Sequence, residues 1–205
     1  MLRAIQDNLE AIYRIHAPDV RRFLIDEAQL QEVLGDVDRS AEEWVLVRES
    51  PQGVDVGVYV ASSVLERLES LQGPAEALDD AFQSFCLATE GVSHFLMLFE
   101  RARREEPVSM LELEAQAEVD KFVFAALHQP ERTTEWHTRL FRQASMAEGL
   151  STEEYSRYAE AGRLAAAFCE ELSSTPHTAA LLDTLRAFWR GSGAQRMEQM
   201  RRLAA

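Results

Sequence analysis

Residues 75–104, AEALDDAFQSFCLATEGVSHFLMLFERARR, decide how the rest of the chain has to fold. Leu78, Phe82, Phe85, Val92, Leu96 and Phe99 recur at three- and four-residue spacing, which predicts a helix with one apolar stripe. Leu87, Met97 and Leu98 lie off that stripe, so the middle of the helix is apolar all round and belongs inside the molecule. Glu90 and His94 stand in that middle, four residues apart and therefore one turn apart on one face. A buried carboxylate and a buried imidazole need partners. The pattern predicts one helix from about Ala75 to Arg104, with Pro107 stopping it.

The partners are expected just downstream. Ser109 caps a second helix from Met110 to about His128, closed by Pro130, and the connection at 105–108 is short enough to set the two helices antiparallel. On the second helix Glu114 and Glu118 share a face with Lys121, the only lysine of the chain, beside them. Glu90, His94, Glu114 and Glu118 are therefore candidate ligands of a divalent metal such as zinc. The competing reading makes Glu90 and His94 a buried hydrogen-bonded pair, and Glu114, Glu118 and Lys121 a polar helix face with its own ion pairs.

Upstream the period changes. Trp44–Val47 and Val54–Val60 are β-branched runs flanking the turn cluster Ser50-Pro51-Gln52-Gly53, a hairpin signal. Val54, Val56, Val58 and Val60 share one face, and an isolated hairpin must pack on something else to persist. Before it, residues 2–16 are helical, and Pro18 opens a second helix through Val20, Phe23, Leu24, Ala28 and Leu30, closed by Gly35 and the acidic Asp36–Asp38. Ser62 starts a short helix to Ser70. Past the central pair, helices are expected over 133–146, from the Ser151 cap to Leu172, and over 178–203 with an interruption at 191–193. The expected fold is mainly α. A single domain, 1–205, is a helical bundle around a central helix pair (75–128), with N-terminal helices (1–40), one β-hairpin (43–60) and C-terminal helices (133–205).

Charge narrows the partners. Thirty-five acids against 21 bases give −14, so a broad nucleic-acid surface is excluded. The bases are uneven: residues 186–205 hold five arginines against Glu198, leaving −18 on the rest. Trp189, Arg190, Arg196, Arg201 and Arg202 are the candidate partner-binding residues of this basic, partly apolar end. The first residues carry no uninterrupted apolar run of a signal peptide, and no stretch of 18 apolar residues occurs, so a cytoplasmic location and no membrane contact are expected. Cys86 and Cys169 sit among apolar neighbours and suit the core. Dinucleotide-binding, P-loop and nucleophile-elbow motifs are absent.

Glu90-Gly91-Val92-Ser93-His94-Phe95-Leu96 resembles the H-E-x-x-H motif of zincin metallopeptidases, and Gln116-Ala117-Glu118-Val119-Asp120-Lys121-Phe122 is similar to the downstream segment of gluzincin-type families, including those resembling ImmA/IrrE. The resemblance spans about residues 43–128. Glu90 stands at the first ligand position, Gly91 at the general base and Gln116 at the third ligand, which leaves His94 alone intact. Glycine cannot accept a proton, so the resemblance implies a degenerate scaffold with no catalytic residue rather than a peptidase. Two functions are thus expected. The first is a non-catalytic cytoplasmic interaction or adaptor protein without cofactor, with a protein partner. The alternative is a metal-binding protein or metal-dependent hydrolase using Glu90, His94 and carboxylates of the 110–128 helix.

Overall fold

A computed structural model describes residues 1–35, 41–51, 53–146, 149–175 and 177–205. The acidic Asp36–Asp38 segment and Gln52 of the turn lie outside the described residues. The N-terminal half runs α1 Leu2–Tyr13, α2 Glu27–Leu34, β1 Glu43–Ser50, β2 Gly53–Val60, α3 Ser62–Glu69, α4 Pro74–Asp80 and α5 Phe82–Arg103. Then follow α6 Met110–His128, α7 Thr133–Phe141, α8 Thr152–Ser173, α9 Thr178–Arg190 and α10 Gly193–Leu203. Mainly α with one antiparallel hairpin is the observed class, as the sequence predicts.

Starts and stops follow local chemistry. Ser109 accepts the Glu112 amide at the head of α6, and Ser151 with Glu154 and Ser192 with Gln195 form capping boxes on α8 and α10. Helix α5 packs on α6, α6 on α8, and α1 lies across α5. Helix α6 is buried on nearly every side through Leu113, Val119 and the run Phe122–Ala126, so Glu112, Glu114, Asp120 and Lys121 are inside as well, while Glu118 is half-buried.

The hairpin lies over α5, in a register that pairs Glu43 with Val60 and Val45 with Val58. Opposed residues project from the same face, so Glu43 shares its face with the buried Val58 and Val60. Only that end is covered; Val47 and Val54 near the turn are exposed.

Three expected elements differ. The helix expected over 75–104 breaks at Ala81, whose backbone leaves the helical region (φ −141°, ψ 43°). Asp79 and Asp80 end α4 just ahead of α5, where their charge favours the positive end of the longer helix, and Asp79 is held by Arg132. The helix expected from Pro18 is a short 3-10 turn over Val20–Phe23 followed by extended chain, because the Ile25 amide donates to the Val58 carbonyl (2.9 Å) and fixes this segment to β2. The helix expected over 133–146 ends at Phe141. Among the described residues no helix is long and apolar enough to cross a membrane.

Candidate metal centre

Three elements converge on one polar cluster. Helix α5 presents Glu90 and His94 one turn apart, β1 lays Glu43 over them from the hairpin, and α6 supplies Glu114, Glu118 and Lys121 from the other side. One ligand atom each of Glu43, Glu90 and His94 lies within 4.8 Å of the other two. Of the four carboxylates, Glu43 is the one the sequence reading missed. The signal was there: it lies on the strand face of Val45 and Val47, an acid at an apolar register position.

Gly91 explains how Glu43 reaches the cluster. A methyl group on its Cα would stand 3.2 Å from Glu43 Oε1 and 3.4 Å from Val58 Cγ1. Absence of a side chain at the position next to Glu90 lets the hairpin seat its carboxylate directly on α5.

His94 is bracketed by carboxylates. Its Nδ1 lies 3.6 Å from Glu43 Oε1 and its Nε2 3.6 Å from Glu114 Oε2. Those distances are ion-pair contacts, too long for hydrogen bonds, and both Glu43 Oε1 and His94 Nε2 are buried with no hydrogen-bond partner. Glu114 Oε1 in turn faces Arg157 Nε at 3.6 Å, and that nitrogen is also unpartnered. Lys121 is better satisfied: its Nζ donates to Glu90 Oε2 (2.9 Å) and Glu118 Oε1 (2.7 Å). The Glu43 and His94 side chains are 9% and 8% exposed, Glu90 19% and Glu118 25%, so the cluster is open on the Glu90–Glu118 side.

Four carboxylates face two permanent cations, and burial and that charge excess act together on the groups between them. Burial works against a charged His94, but the facing Glu43, then Glu90 and Glu114, outweigh it and hold the imidazole up to about 9. Burial pushes the Glu114 carboxyl up to about 7 against the pull of His94 and Arg157. Glu43 is likewise raised by burial, with His94 pulling back. Glu90 goes down although it is mostly buried, because Lys121 and His94 favour its charge. Burial disfavours the Lys121 charge, yet Glu118 and Glu90 raise its value well above the usual ammonium range. Without a metal ion, the cluster balances its charge by holding protons.

No family model, curated protein or solved structure matches the chain.

Of the four candidate ligands Glu90, His94, Glu114 and Glu118, only Glu90 and His94 have ligand atoms in the close group with Glu43. Glu114 stands behind the imidazole, on the nitrogen turned away from Glu43. Glu118 is engaged by Lys121. Gln116, at the third-ligand position of the metallopeptidase resemblance, points elsewhere: its amide donates to Tyr13 Oη (2.9 Å) and Asp120 Oδ1 (2.8 Å), and its carbonyl accepts from Arg196 Nη2 (2.6 Å).

The basic C-terminal set also divides. Trp189 is buried and stacks on Tyr13 with ring centroids 4.3 Å apart. Arg196 is 1% exposed, with its guanidinium beside Glu112, Gln116 and the Met97 sulfur. Neither forms part of an outer face; Arg190, Arg201 and Arg202 are exposed. The amphipathic pattern of 178–203 serves the core of this chain. Cys86 and Cys169 are free and buried, and burial pushes the Cys86 thiol up to about 12, far from nucleophilic use.

Proposed function

We propose that the protein binds one divalent transition-metal ion through Glu43, Glu90 and His94 Nδ1, with Glu114 accepting the Nε2 proton and fixing the imidazole. The observation that carries this reading is the convergence of the three ligand atoms within 4.8 Å while Glu43 Oε1 and His94 Nε2 stay buried without hydrogen bonds. A structural ion-pair network would satisfy those atoms. A metal would satisfy them together: Glu43 as ligand, and His94 with Nδ1 on the ion and Nε2–H toward a carboxylate, the usual arrangement behind a metal-bound histidine.

One nitrogen and two carboxylate donors, with no sulfur in the ligand set, suit zinc, manganese or ferrous iron. Ligand atoms around an ion with bonds of about 2.1 Å stand roughly 3.4 Å apart in tetrahedral geometry. Mutually repelling carboxylates have then to close in by about 1 Å on loading. Lys121 keeps one Glu90 oxygen and leaves the other for the metal. Three protein ligands and an open side leave a coordination position for water or another small ligand.

Titration calorimetry of tag-free protein with zinc and manganese salts, alongside elemental analysis, tests this. One equivalent is expected, with affinity reduced at least 100-fold in Glu43→Gln and His94→Ala and about 10- to 100-fold in Glu114→Gln, while helical circular dichroism is retained. Absence of stoichiometric binding, or binding that survives both Glu43→Gln and His94→Ala, would overturn the reading.

A further inference from the structure

The chain carries −14 overall, yet one cleft of about 420 Å³ gathers Arg14, Arg103, Arg104, Arg186, Arg190 and His16 around a single acid, Glu100. With histidine neutral its lining is net +4, which leaves −18 on the rest of the molecule. Three helices contribute through their C-terminal ends: α1 at Tyr13, α5 at Arg103 and α9 at Arg190. Arginines near helix ends complement the dipole, but three C-termini supply only about −1.5 charges in total. Together with Glu100 they leave the cleft positive.

The arginines are not equally engaged. Arg103 and Arg104 hold Glu100 at 3.0 and 3.2 Å, and Arg186 donates to the Ile12 and Ala11 carbonyls. Arg14 and Arg190 make no side-chain hydrogen bond or ion pair among the described residues. Arg14 also caps α1 in the left-handed conformation (φ 56°, ψ 49°), where glycine is the unstrained choice. A bulky cation kept in a strained cap, with its guanidinium unpaired at the mouth of a positive cleft, points to a bound anion. The floor is the stacked Tyr13–Trp189 pair, buried and rigid.

We infer that this cleft binds a small phosphate-bearing ligand with at least two negative charges, held by Arg14 and Arg190 against the side chains of Arg103, Arg104 and Arg186. Guanidinium forks match phosphate oxygens in paired hydrogen bonds. The −18 remainder limits the ligand to the cleft, because a long polyanion would run onto repelling surface. Glu100 lies six residues past His94 on α5, roughly 9 Å along its axis, so the cleft is distinct from the metal centre.

Calorimetry on metal-free protein in a chelating buffer with inorganic pyrophosphate tests the inference; ADP in a second arm shows whether an organic moiety adds affinity. One-to-one binding at physiological salt is expected, weakened about 10-fold by Arg190→Gln and by Arg14→Gly, and unchanged in Arg48→Gln on the hairpin. Arg14→Gly is the diagnostic variant: relief of the strained cap should keep or raise its melting temperature while anion affinity falls. No saturable binding, equal binding in both variants, or tighter binding of a single-stranded oligonucleotide than of either small anion would overturn the inference.

Discussion

Ser93 and His94 are neighbours on α5, and each faces a polar cluster buried against α6. On the Ser93 side, Asp120 accepts from Ser93 (Oδ2, 2.6 Å), from Gln116 (Oδ1, 2.8 Å) and from the Tyr13 hydroxyl, while Gln116 accepts from Arg196. Arg196 and Arg101 balance Glu112 nearby, and Arg196 Nε is the one orphaned atom of this group. On the His94 side, Glu43 Oε1, His94 Nε2 and Arg157 Nε are all unpartnered, and carboxylates outnumber permanent cations. The two clusters share a helix pair, and Glu43 Oε1 and His94 Nε2 are themselves buried, so burial alone does not account for the difference. A satisfied, balanced network holds elements together; an unsatisfied one with more carboxylates than permanent cations is what the proposed metal ion would complete.

The sharpest way to break this contrast is to remove one acid from each side. Asp120→Ala strips three buried donors of an acceptor that is itself 1% exposed, and should cost about 3 kcal/mol or more in urea denaturation. Glu43→Gln in metal-free protein removes one of the surplus carboxylates, whose Oε1 makes no hydrogen bond, and should cost clearly less than Asp120→Ala in the same measurement. Equal costs would show that both clusters are structural.

A second test uses pH. Burial raises Asp120 to about 6, against the hydrogen bonds from Ser93, Tyr13 and Gln116, whereas an unfolded aspartate titrates near 3.9. The native state thus holds this proton over a range where the unfolded chain releases it. Stability contributed by Asp120 is full below about pH 4 and declines as pH rises to about 6. Asparagine has no such dependence, so the stability advantage of wild type over Asp120→Asn should shrink by about 1–3 kcal/mol between pH 4 and 7. A pH-independent difference would mean that the network fully compensates the Asp120 charge.

Much of the His94 side was legible in the sequence. Glu90 and His94, and Glu114 and Glu118, each fall four apart on apolar-flanked helices, and one short loop turns the second pair toward the first. Glu43 was legible only in part: alternation with Val45 and Val47 puts an acid on the apolar strand face, but its seat on α5 depends on strand register and on where the hairpin crosses, which local periodicity does not encode. The Ser93 side escaped for a related reason: Gln116 and Asp120 are four apart, but their partners Tyr13 and Arg196 lie 103 and 80 residues from Gln116. Trp189 and Arg196 look like an outer face until tertiary packing turns them inward. The break at Ala81 carries no glycine or proline, so helix punctuation could not announce it.

Gly91→Ala is the gentlest perturbation and tests the point at which the two readings separate. In a helix interior alanine is favoured over glycine by about 1 kcal/mol. The added methyl group would press Glu43 Oε1 at 3.2 Å and Val58 Cγ1 at 3.4 Å, and the carboxylate, as the free end of a flexible side chain, can withdraw by a few tenths of an ångström. The two effects nearly cancel in stability, so thermal denaturation of metal-free protein should move by less than about 1 kcal/mol. Metal affinity does not share the compensation, because ligand geometry tolerates only about 0.2 Å. A loss of roughly tenfold in zinc affinity is expected, from the same displacement that leaves the fold untouched. If Gly91→Ala binds zinc as wild type does, Glu43 is not a ligand, and the open valence on the His94 side belongs to packing after all.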